Sequence, residues 1–245
     1  MSLPLSPPRA SAASVQHFRY YDLVMAAFVA ILLLSNIIGA AKRSVVDLPL
    51  IGEWPFGAGV LFFPISYIIG DMLTEVYGYA RARRVIWTGF AALAFMAFMA
   101  WVVVALPPAP GWNGQAAYVE VFGNSWRIVI ASMLAFWVGE FANSLVLAKL
   151  KLKDNGRRMG LRFVASTLVG QGLDSLIFYP VAFYGLDGWP TDALFQTVLS
   201  QWAIKTGWEI LLLPVTIAIV TWLKRREGVD VYDDTTDFSP FHVKA

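Results

Sequence analysis

The chain has no cysteine and only two histidines in 245 residues, which excludes disulfides and thiol chemistry and leaves little for soft-metal ligation. Charge is also scarce. Asp, Glu, Lys and Arg make up 15% of the residues, against about 25% in a soluble domain. The net charge of +2 is too small to argue for a nucleic-acid partner. No G-x-x-x-x-G-K-[ST] element occurs, so the chain does not itself use ATP, and no nucleophile–base or metal-ligand spacing appears. No cofactor is expected. What the chain does have is apolar residues, 58% of the total with a mean hydropathy of +0.59, which is the composition of an integral membrane protein.

Six stretches are long enough to cross a hydrocarbon core of about 30 Å: 20–40, 58–77, 85–106, 127–148, 163–184 and 194–223. The first is longer than the apolar core of a signal peptide, about 7–15 residues, and reads as part of the mature protein. The third is apolar all round and reads as scaffold. Residues 1–18, rich in Pro, Ser and Ala, predict a disordered cytoplasmic tail, 19–226 a transmembrane domain, and 227–245 a cytoplasmic tail. That last segment, acidic with aromatic punctuation, reads as disordered, with docking under the membrane as the alternative. The connection RSVVDLPLIGEWPFG (43–57) predicts a short hairpin or a re-entrant loop. The 107–125 linker carries Trp112, Tyr118 and Phe122 but no Lys or Arg, and suits a membrane surface.

Orientation follows from the positive charges. Fifteen Lys and Arg fall on the amino-terminal side and three on the other, with Lys205 alone inside a span. The positive-inside rule then puts both termini in the cytoplasm and requires an even number of crossings.

Four of the spans carry a polar pair at same-face helical spacing: Asp71/Glu75, Glu140/Asn143, Gln171/Asp174 and Lys205/Glu209. Turned to lipid, the six ionised side chains among them would cost on the order of 15–20 kcal/mol, so the pairs must converge on one interior. Five carboxylates against one lysine are not a closed set of ion pairs. Either several carry protons or a ligand supplies the missing donors. A flat, donor-rich or cationic molecule suits such a site, with Trp202, Trp208, Tyr67, Phe178 and Tyr179 near the pairs in sequence as stacking faces. Gly70, beside Asp71, permits a close approach of the backbone.

Several ordered motifs, FPISYIIGDMLTEVYG, SNIIGAAK, STLVGQGLDSLIF, KTGWE and the DFSPF tail, give the chain a resemblance to the queuosine precursor transporters over about 20–241. The resemblance implies an all-α integral membrane protein, six transmembrane helices in a compact bundle, similar to the substrate-capture subunits of vitamin transporters. It also implies import of 7-deazaguanine bases across the inner membrane. At the fourth-span motif this chain has GEFANS, with Glu140 and Asn143 in place of a Gln and an Asp. A deazaguanine presents N1–H and a 2-amino group, which one carboxylate can accept in bidentate fashion, and a carbonyl that Lys or Asn can reach. The substrate-binding candidates are therefore Asn36, Asp71, Glu75, Glu140, Asn143, Gln171, Asp174, Lys205, Trp208 and Glu209. Residue counting puts Asp71, Glu75 and Glu140 in the cytoplasmic half, so loading from outside predicts a broken or shifted second helix. The expected partners are the small molecule and the bilayer, and a homo-oligomer is compatible with the sequence. Two alternatives remain: a capture subunit for another nucleobase or vitamin that relies on a separate ATPase, and an intramembrane aspartyl enzyme using Asp71 and Asp174. The second is disfavoured because I-I-G-D at 68–71 lacks the first glycine of the G-x-G-D element of such enzymes.

Overall fold

A computed structural model describes residues 18–38, 43–48, 52–123, 126–186 and 190–242. The predicted amino-terminal tail, apart from residue 18, and Lys42 lie outside the described residues. Within them the chain forms seven α-helices and one small hairpin: α1 (Tyr21–Ile38), β1 (Arg43–Leu48), β2 (Gly52–Gly57), α2 (Phe63–Tyr77), α3 (Tyr79–Ala105), α4 (Gln115–Phe122), α5 (Trp126–Asp154), α6 (Met159–Phe183) and α7 (Thr191–Glu227). The hairpin expected between the first two spans is present, antiparallel, with Val46 opposite Trp54. The 107–125 linker contains the short α4, none of whose residues is buried.

Among the described residues, four stretches are long and apolar enough to cross a membrane: Tyr21–Ile38, Tyr79–Ala105, Gln115–Asp154 and Thr191–Glu227. The expected spans at 58–77 and 163–184 are not among them. The first of these became α2, a helix of 15 residues and about 22 Å at 1.5 Å per residue, shorter than the core. It begins later than the sequence suggested because a 3-10 turn (Ala58–Leu61) takes up the first four residues of the stretch and Pro64 sits in the helix's first turn, where its missing N–H leaves no bond unmade. The second became α6, long enough at 25 residues but polar along one face.

Helix α2 is the axis of the molecule. Thirteen of its fifteen residues are buried, and α1, α3, α5 and α7 all pack against it. Gly78, the single residue between α2 and α3, has φ +86°, a conformation that favours glycine. Helices α5 and α6 form the most extensive pair. Their backbones meet at Gly139 and Gly170, where a Cβ on Gly170 would lie 2.7 Å from Asn143 Cβ and 3.0 Å from the Gly139 carbonyl oxygen.

The carboxy-terminal segment, read as disordered, instead packs against the start of α3 as far as Phe241. Both Asp233 carboxylate oxygens accept the Tyr79 N–H (3.1 and 2.9 Å), capping α3 from 154 residues away. Arg83 donates to the carbonyls of Asp237 and Ser239, each at 2.7 Å, and Trp87 donates to Pro240 O at 2.8 Å. An α3 N-terminus with no side-chain cap of its own is satisfied by the tail.

Candidate functional site

The polar residues of the interior separate into two layers. The first lies at the basic end of the bundle and is built around Glu75. Arg162 grips its carboxylate with Nη2 and Nε (2.7 and 2.9 Å), Lys224 donates to the same group at 2.6 Å, and Lys151 Nζ lies 3.6 Å away. Lys151 and Lys224 also hold Asp230 (2.5 and 2.7 Å), and Arg162 reaches Asp154 at 3.2 Å. Three cations meet three anions. Burial pushes the Asp230 carboxyl up, but the hydrogen bonds and charges of Lys151 and Lys224 outweigh it and hold the group below its ordinary value.

The second layer lies about one turn deeper, between α2, α5, α6 and α7. Asp71 Oδ1 accepts from Asn143 Nδ2 at 2.7 Å. Glu209 accepts from Thr167 (2.6 Å) and Gln171 (2.5 Å). Asp174 accepts from Lys205 (2.5 Å), whose ammonium also lies 5.0 Å from the centre of the Phe63 ring. Glu140 is fully buried, and neither of its oxygens has a hydrogen-bond partner among the described residues. Its carboxylate stands against the bare Cα of Gly70, in the space a side chain there would fill. Gly70, read from the sequence as permitting a close backbone approach, admits the Glu140 side chain instead.

Among the described residues this layer holds four carboxylates and one ammonium. Besides Glu140, the buried polar atoms Tyr67 Oη, Asn143 Oδ1, Gln171 Oε1, Ser175 Oγ, Thr206 Oγ1 and Trp208 Nε1 have no partner among the described residues. Buried polar groups are normally paired, so a concentration of unpaired ones marks a place that receives something else. Acceptors dominate, and the chemistry that complements them is a donor-rich molecule. A crevice between α2, α6 and α7 has Asp71, Thr167, Glu209 and Thr216 as its polar lining and Ile68, Phe163 and Leu213 among its walls.

Of the ten candidates, Asp71, Glu140, Asn143, Gln171, Asp174, Lys205 and Glu209 come together here, with Trp208 beside them on α7. Glu75 belongs to the other layer. Asn36 donates to Leu32 O (2.9 Å) and accepts from Ser132 (3.3 Å), tying α1 to α5. Three of the expected stacking faces have other work: Trp202 donates to Leu168 O at 3.0 Å, and Phe178 and Tyr179 pack on each other and on Phe183. The count of five carboxylates against one lysine also needs correction. Lys151, Arg162 and Lys224 read as loop charges, but α5, α6 and α7 run past the expected span ends and carry them alongside α2. Arg162 was detectable, since it lies one turn before Ser166 in the buried stripe Ser166, Gly170, Asp174. Thr167 was too, one turn before Gln171.

Comparison with known proteins decides the family. A family model described as "Putative vitamin uptake transporter" matches residues 57–219, which takes in both the hairpin's end and every residue of the deeper layer. A "Probable queuosine precursor transporter" of Bacillus subtilis is 32% identical over 65% of this chain and 69% of its own length. The "Queuosine precursor transporter" of Escherichia coli is 26% identical over 69% of this chain and 74% of its own. The chain belongs to the queuosine precursor transporter family. It is a multi-pass membrane transporter with a small-molecule substrate, and not an enzyme. No solved structure matches it.

Proposed function

We propose that this transporter imports queuosine precursors, 7-cyano- or 7-aminomethyl-7-deazaguanine, across the inner membrane and holds them in the deeper polar layer. The observation that carries the reading is the excess of acceptors there over protein donors. Asp71 and Glu209 line the crevice, and we assign them the N1–H and 2-amino edge of the base. Asn143, Gln171, Trp208 and the Asp174–Lys205 pair complete the hydrogen bonds and charge balance. An aminomethyl group adds a cation to the same acidic surroundings. The names of the relatives agree with this substrate class.

The proposed topology has six crossings, similar to vitamin-transporter capture subunits, with α2 and α6 completing the set begun by the four apolar stretches. Both termini face the cytoplasm on the fifteen-to-three distribution of basic residues. The Glu75 layer then closes the cytoplasmic end, and the short α2, preceded by the hairpin, leaves the other end as the route of entry. Uptake of a labelled deazaguanine into vesicles containing this protein alone tests the reading. Both precursors compete, and the analogue lacking the 2-amino group does not, because it leaves a desolvated carboxylate oxygen unpaired. Equal inhibition by that analogue overturns the assignment of the guanine edge. Uptake only after an ATPase is added favours the capture-subunit alternative.

A further inference from the structure

Glu140 differs from the other buried carboxylates in the same layer. Asp71, Asp174 and Glu209 each accept at least one hydrogen bond, whereas Glu140 accepts none among the described residues and is fully buried. The charged groups that act on it are carboxylates, Asp71 from α2, Glu209 from α7 and Asp174 from α6, and the neutral Tyr67 hydroxyl of α2 makes no hydrogen bond to it. The cation of the layer, Lys205, is bonded to Asp174. From α3, buried Arg83 donates to the tail carbonyls. From α1, Phe28 packs on Phe136 of α5 and Asn36 accepts from Ser132, and neither is titratable.

An ionised carboxylate without a partner in such surroundings takes up a proton rather than bear the desolvation penalty. The fit to its neighbours points the same way. Glu140 is pressed against the Gly70 Cα and does not line the crevice, so the occupant its oxygens can take in this conformation is the smallest one. We propose that Glu140 is a proton-binding site that couples substrate movement to the transmembrane proton gradient. As a neutral acid it gains an O–H, for which Asn143 Oδ1 and Gln171 Oε1 are unpartnered acceptors in the layer. Asn143 links the proton to the substrate. Its amide lies one turn from Glu140 and donates to Asp71, so a base whose donors engage Asp71 changes what Asn143 offers Glu140. Per cycle one carboxylate oxygen binds one proton from the outer phase and releases it to water on the inner side, with no other bond made or broken.

The coupling rests on the import reading above, whereas occupancy of the site does not, and the test separates them. Infrared spectra of the full chain in liposomes are expected to show a protonated-carboxyl C=O band that Glu140→Gln removes and Glu140→Asp shifts. In the same liposomes, with the membrane potential held at zero by equal potassium and valinomycin, uptake of the neutral 7-cyano base is expected to reach about tenfold accumulation per unit of pH gradient, as one proton per substrate requires. A pH dye then reports proton entry on substrate addition, and that signal is lost in Glu140→Gln. Absence of a band sensitive to Glu140, or uptake indifferent to the gradient without proton entry, overturns the proposal. If Glu140→Gln fails to insert, Glu140→Asp carries the assignment: an unshifted band overturns it. A Glu140-sensitive band together with no uptake of either base supports the proton site and sinks the substrate assignment instead.

Discussion

At the scale of single residues, the interior depends on which carboxylate has which donor. Lys205 is the partner of Asp174, and Lys205→Met leaves that carboxylate buried and unpaired, a loss that runs to about 3–5 kcal/mol for broken buried pairs. The expected outcome is a large drop in thermal stability in detergent, partly restored by adding Asp174→Leu. Normal stability of Lys205→Met would show instead that the ammonium serves the substrate. Asp71→Asn keeps the shape but turns an acceptor into a donor facing donors. It is expected to reduce deazaguanine uptake by at least about tenfold, equivalent to about 1.4 kcal/mol, at unchanged membrane abundance. These residues were legible in the sequence because i,i+3 and i,i+4 spacing puts polar groups on one helix face. Their pairing was not, since spacing along one helix says nothing about which residue the next helix brings opposite.

Among the helices, the α5–α6 crossing and the docked tail make opposite use of contact. The crossing needs the absence of side chains at Gly139 and Gly170. Gly170→Val pushes against Asn143 Cβ and the Gly139 carbonyl, 2.7 and 3.0 Å from the position of a Cβ, and backbone cannot yield as a flexible side chain can. Overpacking of this kind costs about 1–3 kcal/mol, and it displaces Asn143 from Asp71. A lowered melting temperature with uptake reduced beyond the loss of folded protein is the expected result. The tail, by contrast, adds what α3 lacks. Asp233→Ala removes the cap on Tyr79 N–H, a change worth about 0.5–2 kcal/mol. Its pH dependence follows from Asp230. That carboxyl is held below its ordinary value in the folded protein, so its stabilisation is fully present above the unfolded value, about 3.9, and is lost as pH falls through the lower native value. Limited proteolysis of the tail is therefore expected to be slow at neutral pH and to accelerate only below about pH 4. Acidity and aromatic punctuation marked the tail as unusual, but its composition could not reveal that Asp233 meets Tyr79.

For the whole molecule, the interior is divided by depth into a balanced ion cluster and an acceptor-rich layer. The balanced ions around Glu75 seal the basic end, and the acceptor-rich layer lies behind that seal. Because the chain has no cysteine, single cysteines report topology without background. Positions in 107–123 are expected to label from outside and position 234 from the cytoplasm; labelling of 107–123 from the cytoplasm would overturn the six-crossing arrangement. Arg162→Met is expected to loosen the seal, seen as faster labelling of a cysteine at position 74 from the cytoplasmic side.

The sequence by itself determined the membrane setting, the family motifs and the set of polar residues that had to face inward. Each follows from local quantities: hydropathy, spacing, and the cost of exposing charge to lipid. Tertiary structure decided the division of that set. Glu75 and Asp71 are one turn apart on α2, yet one is saturated by Arg162 and Lys224 and the other is paired with Asn143, because α5, α6 and α7 bring Lys151, Arg162 and Lys224 to the level of Glu75 while Lys205, one level deeper, is taken by Asp174. Nor could any local pattern show that the Gly70 Cα and Glu140 would share one space. That required the helix crossing, which decides whether a buried carboxylate finds a donor or must hold a proton.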